Sequence, residues 1–120
     1  MSVIIIAEAG INHNKNLNMA FELVDAAKEA GADIVKFQAG LPEEVVNKNG
    51  IMAPYQVKNI GKTESQLEMI KKLSLDLNDF SKINQYCIEK NISFLATSFG
   101  STATKYLSKL NMPFWKIPSG

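Results

Sequence analysis

The chain has 120 residues, 46% of them hydrophobic and 21% charged, which suits one soluble globular domain. Thirteen basic against twelve acidic residues leave a net charge of +1, and that balance gives no electrostatic footprint for nucleic acid or an anionic membrane. A single cysteine, Cys87, excludes an internal disulfide and fits a reducing compartment. Met1 to Ala9 is apolar but lacks a basic start and runs into Glu8, so it is too short for a membrane span and wrong for a signal peptide. The cytoplasm is the expected location.

Val3 to Ala7 is continuous and largely β-branched, so it reads as a strand buried on both faces, the parallel-sheet type. It ends at Glu8, and Ala9 to Asn16 follows as a polar loop. Asn16 or Asn18 can cap the next helix. Leu17, Phe21, Val24 and Ala27 fall at helical spacing, and Gly31 sits where a helix-terminating glycine belongs. A second strand then runs through Ile34-Val35-Lys36-Phe37-Gln38. Side chains alternate along it, so Val35 and Phe37 share one face while Ile34, Lys36 and Gln38 share the other.

Ala39 to Gly61 holds glycines and prolines throughout and reads as a long loop, with one short helical turn near Glu43 to Asn47. A loop of that length in a compact domain is usually functional. Thr63-Glu64-Ser65-Gln66 fits a capping box, and Leu67, Ile70 and Leu73 form the stripe of the helix behind it. Another helix spans about Asn78 to Lys90 with Phe80, Ile83 and Cys87 inward, where Cys87 serves packing. Ser93 to Ala96 is the third strand and ends at Thr97-Ser98. Ser101 can cap a helix carrying Ala103, Leu107 and Leu110, which Pro113 breaks. Phe114-Trp115-Lys116-Ile117 is a fourth strand. Strands alternating with helices imply right-handed crossovers and a parallel α/β sheet.

The strand ends carry the chemistry. They hold Glu8; Lys36 and Gln38; Thr97 and Ser98; and Lys116 and Ser119. In parallel α/β folds ligands bind beyond the carboxyl ends of the strands. A lysine within an apolar strand is costly unless an anion meets it, and here two such lysines point to one rim. They repel unless an anion joins them, which argues for a small, multiply anionic ligand such as a phosphate ester or keto-acid. The bland alternative is that each lysine snorkels separately to water. Glu8 can act as an acid–base group or orient a polar substrate; a salt bridge to one of the lysines fits its position equally well. His13 is the only histidine, and with no Cys/His cluster the chain holds no complete transition-metal site.

Four stretches, in order, resemble the bacterial sialic acid (N-acetylneuraminate) synthase family. They are Ile6-Ala7-Glu8-Ala9-Gly10-Ile11-Asn12-His13-Asn14; Ala26 through Gln38; Ala53 to Asn59 with Glu64 to Met69; and Trp115-Lys116-Ile117-Pro118-Ser119-Gly120. The resemblance implies the first half, about four β/α units, of a (β/α)8 barrel. It implies condensation of phosphoenolpyruvate with N-acetylmannosamine or a related N-acetylated amino sugar, giving a nonulosonic acid and phosphate for surface polysaccharide synthesis. By motif, Lys36, Lys116 and Ser119 fall on phosphoenolpyruvate-binding positions. Glu8 falls on the glutamate near the reacting aldehyde, and Asn59 and Thr97 on positions contacting the acceptor sugar. A divalent metal, Mn²⁺ or Mg²⁺, is implied as the Lewis acid at that aldehyde, with its protein ligands beyond this chain. A homodimer is implied for the intact protein.

Three departures concern rim loops. Lys15 stands where the family usually has glycine, Ala39-Gly40 replaces Thr-Phe, and Ser98-Phe99-Gly100 replaces Thr-Pro-Phe. They touch acceptor choice more than the chemistry. Length is the larger departure. A full barrel takes about 250 residues, so residues 1–120 read as the N-terminal portion of a synthase barrel, without its second half or its antifreeze-like domain. Alone, such a chain is expected to be inactive and to dimerise or aggregate through uncovered edges. Two other functions compete: a Schiff-base aldolase built on a strand-end lysine, and a non-catalytic anion-binding remnant.

Overall fold

The computed structural model describes residues 2–46 and 65–119. Its elements are β1 (Ile6–Gly10), α1 (Leu17–Glu29), β2 (Ile34–Gly40), α2 (Pro42–Val45), α3 (Gln66–Leu73), α4 (Leu77–Glu89), β3 (Ser93–Phe99) and α5 (Ser101–Leu107). The strands form a parallel sheet in the order β1-β2-β3. The α/β class and the parallel sheet are as expected from the alternation of elements.

Local chemistry sets the helix ends. The Asn16 side chain accepts from the Met19 N–H at 3.0 Å and starts α1. Gly31, at φ +83, ends it in the left-handed conformation that glycine adopts without strain. A capping box starts α3 and joins Ser65 to Glu68; Thr63, the cap expected from the sequence, lies outside the described residues. Ser101 is the first residue of α5 rather than its cap. The cap position belongs to Gly100, and the Glu44 carboxylate accepts from the Thr102 N–H at 3.3 Å and from the Thr102 hydroxyl at 2.9 Å. A carboxylate suits the positive end of a helix.

The helices cover one face of the sheet. Register pairs Val35 with Phe94 and Phe37 with Ala96, and these residues meet Val24, Ala27, Phe80, Ile83, Cys87 and Leu107 in one core. Phe37 lies 6.1 Å from Phe94 and Phe94 lies 6.4 Å from Phe80, ring centre to ring centre. Each buried phenylalanine contributes about 2 kcal/mol from transfer alone. Cys87 is fully buried in this core, as its helical position indicated. The opposite face of the sheet carries Ile34, Lys36, Gln38, Leu95 and Thr97.

Two expectations are corrected. β1 begins at Ile6, not Val3, and its apolar lead is not buried on both faces: Val3 is 79% and Ile4 59% exposed. Pairing starts where Ile6 meets Ile34. Just before it, Asp33 holds Ile5 by a side-chain bond to the Ile5 N–H at 2.8 Å and a main-chain bond to its carbonyl at 2.9 Å. β1 has only β2 beside it among the described residues, so hydrophobic composition alone did not bury it. The fourth strand is reduced to one parallel bridge between Thr97 and Lys116, with Phe114, Trp115 and Ile117 exposed. The long loop expected from Ala39 is shortened at its start, because Ala39 and Gly40 complete β2 and Pro42 opens α2. No described helix is long and apolar enough to cross a membrane.

Candidate functional site at the strand ends

Parallel register gathers the polar residues. Glu8 stands opposite Lys36, Gln38 opposite Thr97, and Thr97 opposite Lys116. All occupy the face turned away from the helices, because alternation sends Val35, Phe37 and Ala39 into the core. Lys36 is on the middle strand, and its side chain is only 15% exposed. It does not snorkel to water. Its ammonium pairs with the Glu8 carboxylate and donates to the Thr97 hydroxyl at 3.5 Å. Thr97 is itself buried. Of the alternatives open for Glu8, the salt bridge is present, and the Glu8 side chain remains 48% exposed.

A β-bulge between Glu8 and Gly10 shifts the register at this point. Bulges re-aim side chains at sheet rims. Gly10 has φ +56, and a Cβ there would stand 3.3 Å from Glu8 Oε1 and 3.8 Å from Gln38 Nε2. Any side chain at position 10 would therefore crowd the acid and the amide together. Gln38 joins the site on this evidence; its place on the Lys36 face was legible from strand alternation.

Lys116 is exposed, and its ammonium donates to the Ile117 carbonyl at 2.7 Å. It lies level with Gln38 and two strand spacings away, about 10 Å. A phosphate ester bound between the two lysines would exchange that neutral carbonyl for an ionised acceptor. Ser119 is exposed just beyond the bridge. The structure thus brings Glu8, Lys36 and Thr97 into contact and ties Lys116 to them through the backbone. Asn59 lies outside the described residues. Among those residues, no group of three His, Cys, Asp or Glu side chains could hold a metal ion.

Three residues near the rim have roles that sequence reasoning missed. His13 is buried, stacks on Phe37 with ring centres 6.2 Å apart, and accepts the Lys15 N–H at its Nδ1 at 3.1 Å. Its Nε2 has no partner among the described residues, and burial lowers its pKa. Lys15 has φ +60 and Asn14 φ +49, so the position where the resembling family carries glycine is left-handed in this chain. Lys15 Nζ donates to the Lys71 carbonyl at 3.1 Å, in the last turn of α3, where a cation is favoured. Glu44 anchors the first turn of α5 across 58 residues of chain, a contact that no local pattern signals.

Known proteins resemble this chain in sequence and fold. A family model described as the NeuB family matches residues 23–120. The N,N'-diacetyllegionaminic acid synthase of Campylobacter jejuni is 42% identical over 98% of this chain and 35% of its own length. The human N-acetylneuraminate-9-phosphate synthase is 35% identical over 97% of this chain and 32% of its own. The crystal structure of an N-acetylneuraminic acid synthetase from Leptospira borgpetersenii, in complex with citrate, superposes with a TM-score of 0.79 at 31% identity, covering 98% of this chain and 36% of that one. The chain spans about a third of the length of the curated relatives it matches. With a family match over residues 23–120 and relatives above 30% identity across nearly its whole length, the chain belongs to the NeuB family.

Proposed function

We propose that this chain carries the phosphoenolpyruvate-binding part of a nonulosonic acid synthase, as the first β/α units of a (β/α)8 barrel. The observation that supports it most is the contact of Glu8, Lys36 and Thr97 at the carboxyl ends of parallel strands, with Lys116 one strand further on. The synthase relatives named above favour the same reading.

In this reading Lys36 and Lys116 hold the phosphate and carboxylate of phosphoenolpyruvate, with Ser119 as hydroxyl partner. Thr97 and Asn59 are assigned to the acceptor by the family resemblance. C3 of the enol ester attacks the aldehyde carbon of an N-acetylated amino sugar, forming the new carbon–carbon bond. Water adds at C2, and the Glu8 carboxylate takes one of its protons and passes it to the oxygen of the former aldehyde. Phosphate then leaves with the proton of the new C2 hydroxyl as that carbon becomes the keto group. The lysines stabilise charge on the departing phosphate. The family resemblance also implies Mn²⁺ or Mg²⁺. The described residues do not by themselves make a ligand set for it, and no step here is routed through it. The same resemblance supports a cytoplasmic homodimer for the intact protein. Lys36 is engaged by the Glu8 carboxylate and the Thr97 hydroxyl, whereas a Schiff-base lysine is activated by an apolar pocket or a neighbouring cation, so the aldolase reading is disfavoured.

The test uses the full-length protein with phosphoenolpyruvate, an N-acylmannosamine and a divalent metal. Phosphate and a nine-carbon keto-acid should appear in equal amounts and only with both substrates. Phosphate released without the sugar, or none with any acceptor, would overturn the reading.

A further inference from the structure

The loop from β1 to α1 leaves the sheet at Gly10, just past Glu8, and holds an uncommon shape. Asn14 at φ +49 and Lys15 at φ +60 are both left-handed, and neither is glycine. Such conformations cost free energy and persist only where the surroundings enforce them. Main-chain bonds close the turns, from Asn12 to Ala9, Asn14 to Ile11 and Asn16 to His13. One further bond joins a side chain to the strained residue itself: the Lys15 N–H donates to His13 Nδ1 at 3.1 Å.

That bond requires one protonation state. A neutral imidazole has one acceptor nitrogen, whereas an imidazolium has two donors. With Nδ1 accepting, the ring is neutral and its proton sits on Nε2. The ring is fully buried and stacked on Phe37. A second proton, on Nδ1, would set two donors against each other at Lys15. Among the described residues the charged groups nearby are engaged elsewhere. Lys36, next to Phe37 on β2, lies on the opposite face and pairs with Glu8, and the Lys15 ammonium goes to the Lys71 carbonyl. Glu43 of α2 pairs with Lys71 of α3 at 3.2 Å. Asp76 and Asp79 stand at the head of α4, where Asp79 pairs with Lys82 at 3.1 Å, and the first turn of α1 carries no acid. Burial is what moves the His13 pKa, downward.

We propose that His13 is a positioning residue: its neutral imidazole locks the β1–α1 loop behind Glu8, and its protonation unlocks that loop and misplaces the acid. Glu8 and Gly10 share the β-bulge from which the loop starts, so the main chain passes the loop's movement directly to Glu8. The inference rests on the synthase reading, in which Glu8 moves a proton, and adds to it the group that holds Glu8 in place.

The experiment uses the full-length protein and His13→Asn. An asparagine side-chain oxygen accepts the main-chain N–H two residues on, but it takes up no proton in the histidine range. Phosphate release is followed with phosphoenolpyruvate, an N-acylmannosamine and a divalent metal at about pH 7.5 and about pH 5, on either side of the ordinary histidine value. The ratio of wild-type to His13→Asn kcat/KM should fall about three- to tenfold on acidification, the worth of one hydrogen bond. Packing lost with the smaller side chain is the same at both pH values and cancels in the ratio. In the wild type alone, amide exchange read residue by residue should show the protection of the Lys15 N–H falling over the same range relative to that of Val24 in α1. A constant activity ratio would overturn the inference and leave the synthase reading intact. Constant relative protection at Lys15 would do the same, including in the case where His13→Asn fails to fold. No phosphate from the wild type at either pH would instead overturn the synthase reading, and with it the part assigned to His13.

Discussion

Changing Glu8 to Gln separates the two things this residue does. It neutralises the counter-ion of Lys36 and removes the acid–base group, while keeping size and shape. Any anionic donor must compete with Glu8 for the Lys36 ammonium. A contact ion pair is worth about 1 kcal/mol in water and about 4 kcal/mol at an effective dielectric of 20. Glu8 is 48% exposed, so solvent screening places the pair near the lower figure. Releasing about 1 kcal/mol tightens phosphoenolpyruvate binding about fivefold. Turnover should move the other way, falling roughly 10²- to 10⁴-fold with loss of general acid–base catalysis. Calorimetric titration of the full-length protein with phosphoenolpyruvate, beside steady-state phosphate release, reads both. Weaker binding by Glu8→Gln, with a urea midpoint matching the wild type, would refute the reasoning: Glu8 would then be holding Lys36 in place for the ligand rather than competing with it.

Other expectations concern stability. Burial lowers the His13 pKa, so the unfolded chain binds the proton more readily than the native one. The native state should therefore lose stability as pH falls below about 6.5. His13→Gln should flatten that part of a urea-midpoint profile between about pH 6.5 and 5, and an unchanged slope would count against it. Burial pushes the Cys87 thiol up to about 12, so a thiol reagent at pH 8 should label the native protein far more slowly than the urea-unfolded chain; equal rates would contradict the packing. Lys15 sits at φ +60, where a β-branched residue is strained by about 1–2 kcal/mol. Lys15→Gly should be more stable than Lys15→Val by about that much, although both lose the bond to the Lys71 carbonyl. The reverse order, which glycine's extra chain entropy favours at an ordinary backbone position, would show that the loop is not left-handed there.

Much of the site was readable because strand alternation is a rigid rule. Once Val35 and Phe37 face the core, Lys36 and Gln38 must face the other way, and a lysine in that place asks for an anion. Helix stripes such as Phe80, Ile83 and Cys87 follow from an equally rigid period. What escaped depends on partners distant in sequence. Val3 to Ile5 has strand composition, but composition does not say whether a neighbour covers it. Phe114 to Ile117 likewise has strand character and makes a single bridge. The Ser65–Glu68 box and the Thr63–Gln66 box are equally good by spacing, and only the helix start decides between them. Glu44 at the head of α5 depends on where α2 packs. The His13 loop looked merely polar because its left-handed residues, Asn14 and Lys15, are not glycines.

The central claim is that Lys36 and Lys116 share one anionic ligand. Phosphoenolpyruvate affinity of the full-length protein should be compared with that of Lys36→Met and Lys116→Met, each checked for an unchanged urea midpoint. A charge-assisted bond contributes about 1.5–3 kcal/mol, so each variant should bind at least tenfold more weakly. Affinities within twofold of the wild type in both variants would contradict the account.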